Sequence, residues 1–283
     1  MQIGIMSAHF WRDSLSEVLD AILGHDIRQL QFHLASAGIR EVPDALDSSM
    51  CETIKTEVAR RDMRIAALNG EVNMVHPEVE HRNEAIRQLK ALIRTAHPIG
   101  TGVIATCTGS RSAESMWRNH PDNQTDEAWA ILRQTLDEVL PVAEEHDVVL
   151  AFEPEVNNVT NTAARAKRLI DEVGSRHLGV VMDAANIFND GELLRMAEIL
   201  DEAFELLGPH IAIAHGKDLD RDGAAGHLAA GTGKLDYERY VRLLCDLPFD
   251  VPVILHALSE EQVDDAVAMI RRHAEMAKPD EEE

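Results

Sequence analysis

Four side chains suited to metal ligation or proton transfer close short apolar runs in this chain: Glu153, Asp183, His215 and His256. The clearest run is Val148-Val149-Leu150-Ala151-Phe152-Glu153-Pro154-Glu155. In an extended strand, alternate side chains share a face, so Val149, Ala151 and Glu153 point one way and Val148, Leu150 and Phe152 the other. The same parity puts Val181 with Asp183, and Ile211 and Ile213 with His215. A carboxylate at the end of a buried strand is costly to desolvate unless a cation or hydrogen-bond donors meet it. A mixed carboxylate and imidazole set suits Mn²⁺, Zn²⁺, Fe²⁺, Co²⁺ or, less well, Mg²⁺. Taken singly, a strand-end acid is more often a cap, and a lone histidine a hydrogen-bonded structural residue. Convergence of four such residues on one rim is what favours a metal.

That convergence depends on the elements. Short apolar runs alternate with longer amphipathic segments throughout, the pattern of repeated βα units. Strands are predicted at 3–7, 29–34, 65–69, 103–108, 148–153, 179–183, 211–215 and 251–256. Helices are predicted at 15–23, 49–61, 80–96, 126–145, 162–173, 192–207, 237–245 and 260–275, with apolar residues at three- and four-residue spacing. Gly24, Gly100, Gly174 and Gly208 follow helices as capping residues would, and Pro98, Pro209 and Pro248 fall where turns enter strands. No linker divides the chain. Eight units without a break predict a single (β/α)8 barrel over 1–278, followed by an acidic tail at 279–283. The longest loops, 70–77, 108–125 and 216–236, follow strands three, four and seven, on the face where barrel enzymes build their sites.

Composition narrows the functions. The chain has 283 residues and a net charge of −23, with no visible basic patch, which works against nucleic acid and anionic membranes. No apolar run approaches the ~20 residues of a membrane span, and no secretory signal opens the chain. Three well-separated cysteines, Cys51, Cys107 and Cys245, point to reduced thiols and a cytoplasmic location.

The chain resembles the sugar phosphate isomerase/epimerase family of xylose isomerase-like TIM barrels. The features that carry the resemblance are Glu153-Pro154 after an apolar strand, Asp183 closing strand six, His215-Gly216-Lys217-Asp218 after strand seven, and Gly231-Thr232-Gly233-Lys234-Leu235-Asp236 before helix seven. It implies a divalent metal held by Glu153, Asp183 and His215, and a homodimer or homotetramer. Two positions depart from the family pattern. Asn186 stands where many members have a histidine three residues after the aspartate. His256 stands where epimerases have a glutamate that ligates metal and moves a proton. An unperturbed imidazole titrates near ~6.5 against ~4.3 for Glu, so this exchange alters the acid/base expected there.

These readings predict a metal-dependent isomerase or epimerase acting on a small sugar, sugar phosphate or polyol through an enediolate. The alternatives are a dehydratase or lyase on a keto-polyol, or a barrel that binds a sugar or partner without turnover. Glu153 and His256 are the candidate catalytic residues, and Glu153, Asp183, His215 and His256 the candidate ligands. His76, Arg111, Trp117, Lys217 and Asn186 are candidates for substrate contact. Glu155 has two uses open to it, an ion pair with Lys217 or a hydroxyl of a ligand. His9 and Phe10 either wall the pocket or simply pack. Gly231 and Gly233 read first as turn glycines and only weakly as a phosphate loop.

Overall fold

The computed structural model describes residues 1–40 and 42–277; the acidic tail expected at 279–283 lies outside them. Eight parallel strands close on themselves, each followed by a helix. They are β1 (Ile3–Met6), β2 (Gln29–Phe32), β3 (Arg64–Asn69), β4 (Val103–Cys107), β5 (Val149–Glu153), β6 (Leu178–Asp183), β7 (Ile211–Asp218) and β9 (Val253–Leu255). Neighbours pair in the order β6-β5-β4-β3-β2-β1-β9-β7, and a β6–β7 pairing shuts the ring. A short β8 (Leu228–Ala229) folds back antiparallel on the end of β7, pairing with Lys217 and Asp218. Among the described residues no helix is long and apolar enough to cross a membrane.

Strand alternation creates two cores. Inside the barrel lie Met6, Ala67, Ala105, Ala151, Val181, Ile213 and Ile254. Leu30, Leu68, Ile104, Leu150, Phe152 and Val180 face outward onto the helices. The inner ring is crowded: a Cβ on Gly4 would lie 2.6 Å from Ile254 Cδ1 and 2.7 Å from the Gln29 carbonyl oxygen, so β1 can pass there only as glycine. Parity holds for Val149, Ala151 and Glu153, and for Val181 with Asp183. It fails at Ile211, which joins the outer core while Ala212 packs against the inner one. The β6–β7 register shifts between Val180 and Val181, which accounts for the change of face.

The helices are α1 (Leu15–Gly24), α2 (Ser48–Ala59), α3 (Val79–Ile99), α4 (Asp126–Glu145), α5 (Ala163–Val173), α6 (Met196–Leu207), α7 (Tyr237–Cys245) and α8 (Val263–Met276). Thr125 caps α4 and Thr162 caps α5 through their hydroxyls, and Gly100 and Gly174 end α3 and α5 in the left-handed conformation. Two expectations need correction. Pro98 lies inside the last turn of α3, because its neighbours already leave the helix at Gly100. Gly24 is the last residue of α1, and Asp26 takes the positive φ that follows it.

Candidate metal centre

Glu153 and Asp183 end β5 and β6, and register puts His215, inside β7, directly beside Asp183. His256 follows β9, its amide bound to the Gly216 carbonyl across the β7 interface. Ligand atoms of Asp183, His215 and His256 lie within 4.8 Å of one another.

Each group is held by its neighbours. Asp183 Oδ1 accepts the Ala185 amide at 3.0 Å, while Oδ2 accepts from Lys217 Nζ at 2.8 Å and faces His215 Nδ1 at 3.3 Å. Glu153 Oε2 lies 3.3 Å from the same Nδ1. Glu153 Oε1 accepts from the Asn186 amide, whose own oxygen accepts the Gly226 N–H at 2.9 Å. Asn186 therefore clamps a carboxylate. Behind β7, the Tyr240 hydroxyl donates to the carbonyls of Met182 and His215, and Tyr237 donates to that of Lys217.

Burial here is nearly complete, so charge must be compensated. Asp183 is 0% exposed, His215 1% and Lys217 4%. Burial opposes charge on Asp183, but Lys217 and His215 outweigh it and hold the carboxyl well below its ordinary range. Burial likewise lowers His215, yet hydrogen bonds to Asp183 and Glu153 prevail and raise it to about 9. His256 has only burial and the positive charges of Lys217 and His215 as its leading influences, and falls well below its usual value. It is a neutral imidazole, and its buried Nδ1 has no hydrogen-bond partner among the described residues.

These features fit a divalent cation. Two carboxylates converge on one imidazole nitrogen, a second neutral imidazole leaves a buried nitrogen unsatisfied, and the donor set is of the mixed type such ions take. Lys217 also answers the desolvation problem posed by strand-end acids, through Asp183.

The remaining expected residues occupy different places. Glu155 is fully buried, and its carboxylate is engaged by the Asn157 amide and by the side chains of Asn157 and Asn158. Burial, reinforced by the charge of Glu153, pushes it up to about 8. The Arg111 guanidinium donates to the carbonyls of Val75 and His76, so it pins the loop after β3. The His76 ring packs against His81 at 4.3 Å. Trp117 is 43% exposed on the loop after β4. Phe10 is core, whereas the His9 ring sits 5.7 Å from that of His256. The Gly231 and Gly233 amides donate to Asp218 Oδ2 at 3.1 and 2.9 Å, so that loop is closed around an internal carboxylate.

Three site groups escaped the sequence reading: Gln31, Asn69 and Glu71. Gln31 Oε1 lies 2.9 Å from His215 Nε2, and Gln31 Nε2 donates to Asn69 Oδ1 at 3.0 Å. Glu71 receives a hydrogen bond from the Asn69 side chain, and burial with the nearby charge of Glu153 raises its carboxyl. The available signal was a polar residue near the C-terminal end of β2 and of β3, at Gln31 and Asn69.

Solved structures share this architecture at low identity. A D-tagatose 3-epimerase-like protein superposes with a TM-score of 0.77 at 14% identity, covering 98% of each chain. An L-ribulose 3-epimerase gives 0.75 at 16%, covering 98% of this chain and 96% of that one. The IolI protein with a bound zinc atom gives 0.73 at 16%, covering 98% and 99%. No match is found among curated proteins. A family model described as the xylose isomerase-like TIM barrel matches residues 10–275, and the chain belongs to that family.

Proposed function

We propose that this barrel is a divalent-metal-dependent enzyme of the isomerase/epimerase type, acting on a small sugar, sugar phosphate or polyol by proton transfer next to a carbonyl. The observation that carries the reading is the buried meeting of Asp183, His215 and His256 beside Glu153. The epimerase names of two structural neighbours and the zinc of a third support it.

Asp183, His215 and His256 would hold the ion, with Glu153 as a further ligand. A bound divalent ion polarises neighbouring carbonyl and hydroxyl oxygens and so acidifies the adjacent C–H. Glu153 takes that proton through a carboxylate oriented by Asn186, and a fixed orientation is what makes a general base effective. His256, neutral in its buried setting, offers an imidazole in place of a second carboxylate. Lys217, directed by Asp183, supplies positive charge for an oxygen of the substrate. Arg111, His76 and Trp117 sit on the surrounding loops and set the rim that such a substrate would pass. The sparse, scattered cysteines suit the reducing cytoplasm we assign to it.

The test is Glu153→Gln, assayed on a panel of ketoses, aldoses and their phosphates with added Mn²⁺, Zn²⁺, Co²⁺ or Mg²⁺. Turnover is expected to drop about 10²- to 10⁴-fold with the fold intact. Wild-type rates in the variant would remove Glu153 from the mechanism.

A further inference from the structure

A line of side-chain hydrogen bonds crosses the barrel mouth from the metal cluster to the opposite wall. It runs from His215 Nε2 to Gln31 Oε1 at 2.9 Å, from Gln31 Nε2 to Asn69 Oδ1 at 3.0 Å, and from the Asn69 amide to Glu71. Gln31 and Asn69 are both 1% exposed, so water does not compete for these bonds.

We propose that Gln31 is a positioning residue that commits His215 to offering Nδ1, not Nε2, to a divalent cation. The deduction rests on the metal reading above. Gln31 gives its NH₂ to Asn69 Oδ1 at 3.0 Å, so the same amide presents its oxygen to His215. An imidazole nitrogen facing an amide oxygen carries a proton, so Nδ1 is the nitrogen that would give up its proton and offer a lone pair to a cation. Nδ1 is the atom on which Asp183 and Glu153 converge at 3.3 Å. Gln31 and His215 are 184 residues apart in the chain, so neither strand alone encodes the arrangement. Hydrogen bonds to the far nitrogen of a ligating histidine fix its ring and raise its basicity, and their loss typically lowers metal affinity.

The experiment uses zinc alone, with the full chain stripped of metal by a chelator. Zinc affinity is measured by competition with a chromophoric chelator, and the protonated nitrogen of His215 is identified by ¹⁵N NMR of the zinc-loaded, histidine-labelled protein. Gln31→Leu removes the acceptor and is expected to weaken zinc binding about 10- to 100-fold. Gln31→Glu keeps an acceptor facing Nε2 and is expected to bind zinc far more tightly than the leucine variant, with Nε2 still protonated. If Gln31→Leu folds and binds zinc like the wild type, or if Gln31→Glu loses as much affinity as Gln31→Leu, the positioning role is overturned. Zinc held through Nε2 in the wild type would overturn it as well. A wild-type chain that binds no zinc, manganese or cobalt at all fails earlier, at the metal reading itself.

Discussion

The two mouths of the barrel separate an open recess from a cluster of buried charge. At the N-terminal mouth a recess of about 670 Å³ opens among Val149, Gly179, Arg176, His210, Ala212 and Phe249. Among the described residues no group of three or more metal-ligand side chains gathers there. At the C-terminal mouth Asp183, His215 and Lys217 are almost fully buried, with the imidazole and the ammonium both within reach of the Asp183 carboxylate. Space costs a protein little, whereas burying ions is expensive unless each has partners. Compensated buried charge is therefore the more informative mark of a site, and its location above β5 to β9 is where barrel loops carry function.

The strongest test of that contrast removes the shared partner. Asp183→Leu leaves the Lys217 ammonium buried without its carboxylate and strips one ligand from the cluster. Breaking one side of a buried pair typically costs about 3–5 kcal/mol. Urea unfolding should show a loss of that order, and zinc binding should vanish. Wild-type stability in this variant would mean that Lys217 escapes to solvent and that the cluster is not the compensated unit described above.

A smaller effect is expected one layer out, where amides hold loops instead of ions. Asn123, 0% exposed, accepts the Arg111 amide at 2.7 Å and donates to the Asn157 carbonyl at 2.7 Å, tying the loop after β4 to the one after β5. Asn123→Ala strands buried backbone groups, at about 1–3 kcal/mol. Zinc affinity should stay at the wild-type value, while amide exchange quickens across residues 109–125. A fall in zinc affinity as large as that of Asp183→Leu would erase the distinction between the ion cluster and its supporting loops.

These layers were unequally legible in the sequence. The barrel could be read because eight apolar runs repeat with helices between them, and closure then brings Glu153, Asp183, His215 and His256 to one mouth as a matter of topology. Lys217 was readable as a cation, but its partner was not: Glu155 was as near in sequence logic as Asp183, and only the end of β7 decides between them. Arg111 looked like an anchor for substrate, yet the carbonyls of Val75 and His76 reach it first. Asn186 was visible as a departure from a family pattern. Its use as a clamp depends on the amide of Gly226, forty residues away on a different loop. Gln31 and Asn69 were missed because a polar residue in a short strand carries no label for a contact made around the ring. Ile211 was placed on the wrong face because parity cannot register a bulge.

The smallest expected effect belongs to the N-terminal mouth, and it is the sharpest check on the contrast because it predicts almost nothing. Phe249 is 41% exposed at the edge of the recess, and Arg176, besides donating to His177 Nε2 at 3.2 Å, makes a loose ion pair with Asp147 at 3.9 Å in which both side chains are more than 80% exposed. Such a pair is screened and holds two long side chains at an entropic cost, so it contributes little. Phe249→Ala combined with Arg176→Ala should shift unfolding free energy by no more than about 0.5 kcal/mol per site, as surface substitutions do. Zinc affinity and turnover should not move. A ligand that bound the recess would meet both the aromatic ring and the Arg176 guanidinium on its rim, so weaker binding or slower turnover in the double variant would make this recess the working one. The buried ions above β5 to β7 would then be structure alone.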